Sequence, residues 1–219
     1  NGQISDEGGR YDLADYAIAE DGWFPSLSLT WKQTDTTQWR LGASKTIVRP
    51  DLREVSPVRF QDPVTDFDFF GNPELKSSDI LNFDLRWEYY SDSGNNFSMG
   101  AFYKDVDAPI EPIQRISEAG RQLKFYNAES GYVYGLETEF LQELAFLGSE
   151  GSIWEDFFVA GNLTLGDSEI NIAANGEIDP TNQTRRMTGH SQWVANLQLS
   201  YDSSDSYHSA TLVYNVFGE

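Results

Sequence analysis

The sequence predicts an all-β protein, an antiparallel up-and-down meander of about eight strands. Three observations carry that expectation. Apolar and polar residues alternate along most of the chain, the period-2 pattern of strands with one greasy and one polar face. Short polar turns alternate with long connections containing Pro and Gly. No segment holds a convincing helical period, and none approaches the ~18 consecutive apolar residues of a membrane-spanning helix.

The strands follow in order. Residues 27–32 place Leu27, Leu29 and Trp31 on one face. Residues 39–48 place Trp39, Leu41, Ala43 and Ile47 together, interrupted by Lys45. Residues 82–89 set Phe83, Leu85, Trp87 and Tyr89 opposite Asn82, Asp84, Arg86 and Glu88. Residues 97–104 align Phe97, Met99, Ala101 and Tyr103. Two less regular strands run near 132–142 and 157–167. Residues 193–201 align Trp193, Ala195, Leu197, Leu199 and Tyr201, and residues 210–216 align Ala210, Leu212, Tyr214 and Val216. A helix over 137–147 is the competing reading of that stretch.

Asp35-Thr36-Thr37, Asp92-Ser93-Gly94-Asn95 and Ser203-Ser204-Asp205 are hairpin turns by composition. Long segments lie at about 49–77, 108–124 and 169–185, and residues 1–22 read as the remainder of another loop. One end of the sheet therefore carries tight turns and the other long loops. A membrane barrel has this asymmetry, and a soluble β-sandwich shares the alternation. Trp and Tyr crowd the strand ends of the apolar face, as in an aromatic girdle. Charges such as Arg40, Asp84, Glu137 and Glu139 on the other face suit a water-filled bore.

The 35 acidic and 15 basic residues give a net charge of -20. Such a surface repels phosphate backbones, which argues against nucleic-acid binding. There is no cysteine, so disulfides, thiolate metal sites and cysteine nucleophiles are excluded. His190 and His208 lie in no catalytic or ligand motif, and no Gly-x-Ser-x-Gly or His-Glu-x-x-His occurs. Glu137 and Glu139 share one face of one strand, whereas glycosidase carboxylates flank a cleft. No enzymatic activity, cofactor or metal is expected.

Binding residues are expected in the long loops. Phe60, Asp62, Asp66, Phe67, Asp68, Phe69 and Phe70 interleave aromatic faces with carboxylates, a combination that suits a sugar. The three aspartates lack the spacing of an EF-hand. Arg115, Arg121, Arg185 and Arg186 are candidates to hold an anionic iron chelate.

Several local motifs occur in a fixed order. They include Trp23-Phe24-Pro25-Ser26-Leu27, Arg40-Leu41-Gly42-Ala43-Ser44-Lys45, Gly71-Asn72-Pro73-Glu74-Leu75, Gly100-Ala101-Phe102-Tyr103-Lys104 and Tyr134-Gly135-Leu136-Glu137-Thr138-Glu139. In this order and spacing, over residues 23–217, the chain resembles the C-terminal part of the β-barrel of TonB-dependent outer-membrane receptors. The resemblance implies a segment of a transmembrane barrel of about 22 strands. It implies energised uptake, across the bacterial outer membrane, of a scarce nutrient too large for porins. Ligand would bind external loops and plug, and an inner-membrane TonB complex would pull on the plug. An oligosaccharide is slightly favoured over a ferric siderophore or haem, on the aromatic-acidic loop. The family's plug domain has no counterpart in these residues, so the chain is expected to be an excised or partial piece. The alternatives are a soluble β-sandwich carbohydrate-binding module and a structural barrel or adhesin without transport.

Overall fold

The computed structural model describes residues 3–6, 9–12, 21–61, 63–64, 67–117, 120–173, 180–203 and 207–218. In chain order the strands begin with β1 (Gln3–Asp6), β2 (Gly9–Asp12), β3 (Ser26–Lys32) and β4 (Thr37–Val48). A single helical turn, α1 (Leu52–Val55), precedes β5 (Arg59–Gln61) and β6 (Asp68–Phe70). Then come β7 (Ser78–Tyr90), β8 (Asn96–Asp107), β9 (Ile110–Ser117), β10 (Gly120–Asn127) and β11 (Ser130–Glu143). Two 3₁₀ turns, Ala145–Leu147 and Ile153–Asp156, lead to β12 (Phe157–Asn171), β13 (Thr184–Arg185), β14 (Trp193–Asp202) and β15 (Ser209–Gly218).

The main sheet has the order β15-β14-β12-β11-β8-β7-β4-β3, with β13 beside the end of β12. Every pair within it is antiparallel. This is the expected meander, and its eight sequential strands are those read from the alternation. The sheet is open, with β3 and β15 as its edges. The stretch 137–147 continues as strand to Glu143 and closes in a 3₁₀ turn.

Register aligns the apolar residues into continuous rows. One row runs Leu29, Leu41, Leu85, Ala101, Leu136 and Leu165. Nothing among the described residues covers this face as a second sheet would: Trp31 is 64% exposed and Leu136 52%. A two-sheet sandwich with these side chains inside is therefore not what the chain forms.

The hairpins step down in register. At the foot of the first, Lys32 pairs with Gln38, and that row continues through Glu88 and Ser98 to Glu139. The β7–β8 hairpin runs to Tyr90 and Asn96, level with Leu141, two residues past Glu139. The β11–β12 ladder reaches Glu143 and Phe158, two past Leu141. Phe158 pairs with Ser200, and β14 runs two further to Asp202. Each hairpin holds two strands, so the offset is one residue per strand. A rise of ~3.3 Å against a strand spacing of ~4.8 Å inclines the strands by about 35°, the tilt of a closed barrel. With that tilt the four turns reach a common level.

The apolar core lies at the loop end. Tyr126, Ala128, Ile170 and Ile172 are buried together, with Ile113 and Met187 packed against them. Ile170 falls on the polar face of the sheet, in the row of Ile80, Val106 and Gly131. The loop-end structure is thus seated on the inner face of the wall.

Candidate functional site

The segments expected as loops build a sheet of their own, in the order β5-β6-β10-β9. β10 pairs antiparallel with β9 and parallel with β6, placing Leu123 beside Phe69. Pro112 lacks an N–H for a ladder, and it sits in β9, an edge strand of this sheet, where Pro is tolerated.

α1 is held by a capping box. The Asp51 side chain accepts from the Arg53 N–H at 3.1 Å, and Glu54 accepts from the Asp51 N–H at 2.8 Å. The motif Gly71-Asn72 ties this turn to β10. The Asn72 amide donates to the Phe125 carbonyl at 3.0 Å, and its side-chain oxygen accepts from Glu74 N–H at 3.0 Å. Its backbone N–H reaches the Glu54 carbonyl. A Cβ at Gly71 would lie 2.0 Å from the Ser56 carbonyl oxygen, so only glycine permits this approach. Asn127 fixes the other side, donating to the carbonyls of Lys76 and Ala108 at 2.8 and 2.9 Å.

Between α1, β5 and β10 opens a cleft of about 970 Å³, lined by Arg53, Glu54, Val58, Phe60, Phe69 and Phe125 among others. Phe60 stacks on Phe69, with centroids 5.0 Å apart and planes at 11°. Phe69 meets Phe125 at 6.4 Å. The Arg53 guanidinium lies 5.9 Å from the Phe60 centroid, within cation–π range. The Arg121 guanidinium stands at the same distance from Phe67.

The structure treats the expected site residues unequally. Phe60 and Phe69 line the cleft. Phe70 follows Phe69 in β6, opposite Arg59. Asp68 is 5% exposed, and its carboxylate accepts from Arg59 at 2.6 Å. Arg185 donates to Glu111 at 3.0 Å and to Thr188 at 2.9 Å, a pair that ties β13 to β9. Arg186 pairs with Asp167 at 2.8 Å. Asp62 and Asp66 lie outside the described residues, as does the side chain of Arg115. Sequence reasoning passed over Arg53, Arg59 and Phe125. The capping pattern Asp51-x-x-Glu54 and the alternation of Leu123 and Phe125 with Gln122 and Lys124 were the available signals.

Below this site the inner face carries a charged row. Arg40 donates to Glu88 at 2.9 Å, Gln38 donates to the same carboxylate at 2.5 Å, and Arg86 pairs with Glu88 and Glu139. The row continues as an amide ladder, in which Asn196 donates to Asn162 at 2.7 Å and Asn215 donates to Asn196. Glu137 and Glu139 lie on this wall, within one strand.

An apolar outer face, a polar inner face, strand tilt, tight turns at one end and folded loops at the other together define a wall segment of an outer-membrane β-barrel. The TonB-dependent receptor-like β-barrel family matches residues 6–219, and the chain belongs to that family. Its setting is the bacterial outer membrane. Among curated proteins none matches the chain. Among solved structures it is similar to the siderophore receptor PirA from Pseudomonas aeruginosa, at 19% identity and a TM-score of 0.62 over 90% of this chain and 34% of that one. It is similar to a mutant of the ferric enterobactin receptor PfeA from Pseudomonas aeruginosa in complex with enterobactin, at 19% identity and 0.58 over 92% and 28%. The siderophore receptor PirA from Acinetobacter baumannii gives 16% identity and 0.54 over 89% and 28%. The chain thus spans about a third of the length of these structures.

Proposed function

We propose that this chain forms part of the wall and outer vestibule of a receptor for energised uptake of a scarce nutrient across the outer membrane. The plug and the TonB complex would act as partners of the full-length protein. The observation that carries this reading is the stapled aromatic cleft at the loop end, above a charged inner wall. Its volume is in the range of small-molecule sites, and its backbone ties make it preformed.

For the ligand, an anionic iron chelate is the reading we favour. Arg53 and Arg121 place cations over the rings of Phe60 and Phe67, and by description the similar PirA structure is a siderophore receptor and the similar PfeA structure a ferric enterobactin receptor. The oligosaccharide reading rests on the same phenylalanines. Against it, Phe60 and Phe69 use one face each on the other, and Asp68 is committed to Arg59 rather than to a sugar hydroxyl.

The test is a titration of the full-length receptor in vesicles with ferric chelates and, separately, with oligosaccharides, read by tryptophan fluorescence. Saturable binding of a chelate that weakens in Arg53→Ala supports the reading. Binding of oligosaccharide alone overturns the chelate assignment. Binding of neither class overturns the receptor reading.

A further inference from the structure

Three of the four turns at the end of the sheet opposite the folded loops are short and polar, as a water-facing turn should be. The fourth, residues 144–156, differs. Phe146 is 70% exposed, Leu147 52%, Ile153 60% and Trp154 40%. Isolated apolar residues on a surface need no explanation, but four within nine residues do.

We propose that this connection is an interfacial foot, which lays its apolar side chains into the periplasmic leaflet of the outer membrane. Continuity with the lipid-facing belt is the first argument. The Trp154 ring lies 5.7 Å from Phe157, and Phe157 lies 4.9 Å from Tyr201. Phe157, Leu163 and Leu165 share the outward face of β12. The foot therefore leans on the outside of the wall and extends the belt beyond the last strand residue.

Level is the second argument. The upper aromatic girdle on β11 is Tyr132 and Tyr134, which stack at 6.1 Å. An apolar band ~25 Å tall, crossed by strands tilted about 35°, takes about nine or ten residues. Counting from Tyr134 ends the band at about Leu144, where the foot begins.

The foot is also built for an interface. Its backbone bonds are largely internal: Leu147 N–H to Leu144, Gly148 to Ala145, Ser152 to Ser149 and Glu155 to Ser152. Gly151 N–H donates to the Glu155 carboxylate at 2.7 Å. These five N–H groups would thus not be carried bare into the headgroup region. Charge selects the lipid. Residues 144–156 hold Glu150, Glu155 and Asp156 and no Lys or Arg. Attachment by burial, without basic residues, suits zwitterionic phosphatidylethanolamine and gains nothing from anionic headgroups.

The test uses the full-length receptor with no other cysteine, reconstituted in phosphatidylethanolamine vesicles containing a minor fraction of phosphatidylglycerol. An environment-sensitive fluorophore is attached at Phe146→Cys and, separately, at Ile153→Cys on the second 3₁₀ turn. Ser93→Cys, in a polar turn at the same level, is the water reference. Heat-modifiable migration confirms that each barrel is folded, and two labelled positions guard against a local failure at one. The foot predicts a blue-shifted label, quenched by brominated lipid and shielded from aqueous iodide, with no gain as phosphatidylglycerol is raised. Iodide quenching as strong as at Ser93 overturns it. Shielding that appears only when periplasmic proteins are added also overturns it, in favour of a protein partner.

Discussion

Replacing Asn72 by alanine should loosen the vestibule while leaving the barrel wall intact. The side chain makes two bonds, one to the Phe125 carbonyl and one from the Glu74 N–H. Each is worth about 0.5–1.5 kcal/mol net, so the change costs about 1–3 kcal/mol, toward the upper end where the Phe125 carbonyl is left without a donor. The loss is local, because Asn72 joins α1 to β10 and touches none of the outward rows. Hydrogen exchange on the full-length receptor reads it directly. Amides of 52–56 and 120–127 should exchange about 5- to 150-fold faster, by the tenfold per 1.4 kcal/mol conversion. Amides at the centres of β7 and β8 should not change. A uniform acceleration across the wall, or no acceleration in the vestibule, would refute the view that the cleft is a separately stapled unit.

Gly71→Ala drives a Cβ into the Ser56 carbonyl and should displace α1, abolishing ligand binding in the fluorescence titration while heat-modifiable migration persists. Ile170→Ala opens a cavity at a fully buried position and should cost about 2–5 kcal/mol, read as a lower denaturant midpoint for the loop-end structure. Phe140→Arg puts a charge near mid-height on the outward face and should cost about 2–4 kcal/mol of membrane-folded stability. Glu137→Arg, three residues away on the same strand and facing the bore, should cost much less in the same refolding assay; equal costs would refute the assignment of faces.

The wall was legible because lipid and water impose a period of two. Where both faces meet similar surroundings, the signal fades. β7 begins at Ser78, four residues before the clear alternation, and β12 runs to Asn171, past the membrane. The vestibule was harder to read for physical reasons. Pro112 made β9 look like a loop, although an edge strand accepts it. β6 and β10 pair in parallel across some fifty residues, and parallel pairing leaves no hairpin signal. Arg185 pairs with Glu111, which lies 74 positions earlier in the sequence, a separation that no local pattern signals. By contrast the motif Gly71-Asn72 was visible as a resemblance, and the structure supplies its reason: a close approach no side chain allows and an amide that bridges two elements.

The placement of the core separates two sources of stability. In a soluble sheet protein the apolar face of the strands is the core. Here that face is open, and the buried cluster of Tyr126, Ala128, Ile170 and Ile172 lies on the opposite side, under the folded loops. The bilayer must therefore cover the rows of Leu29, Leu41, Leu85 and Leu136, while the vestibule carries its own burial. The consequence is mechanical. A wall whose apolar face is solvated by lipid holds its geometry through backbone ladders and through the charged row at Glu88, where Arg40, Arg86 and Gln38 converge on one carboxylate. A vestibule with its own core and staples can keep a preformed cleft above that wall. Loops that were merely tethered would have to order themselves at the expense of ligand affinity. Burying the loop core on the bore side of the strands also leaves the outward face continuous for lipid, so the loop-end cleft and the lipid-facing wall make no competing demand on the same residues.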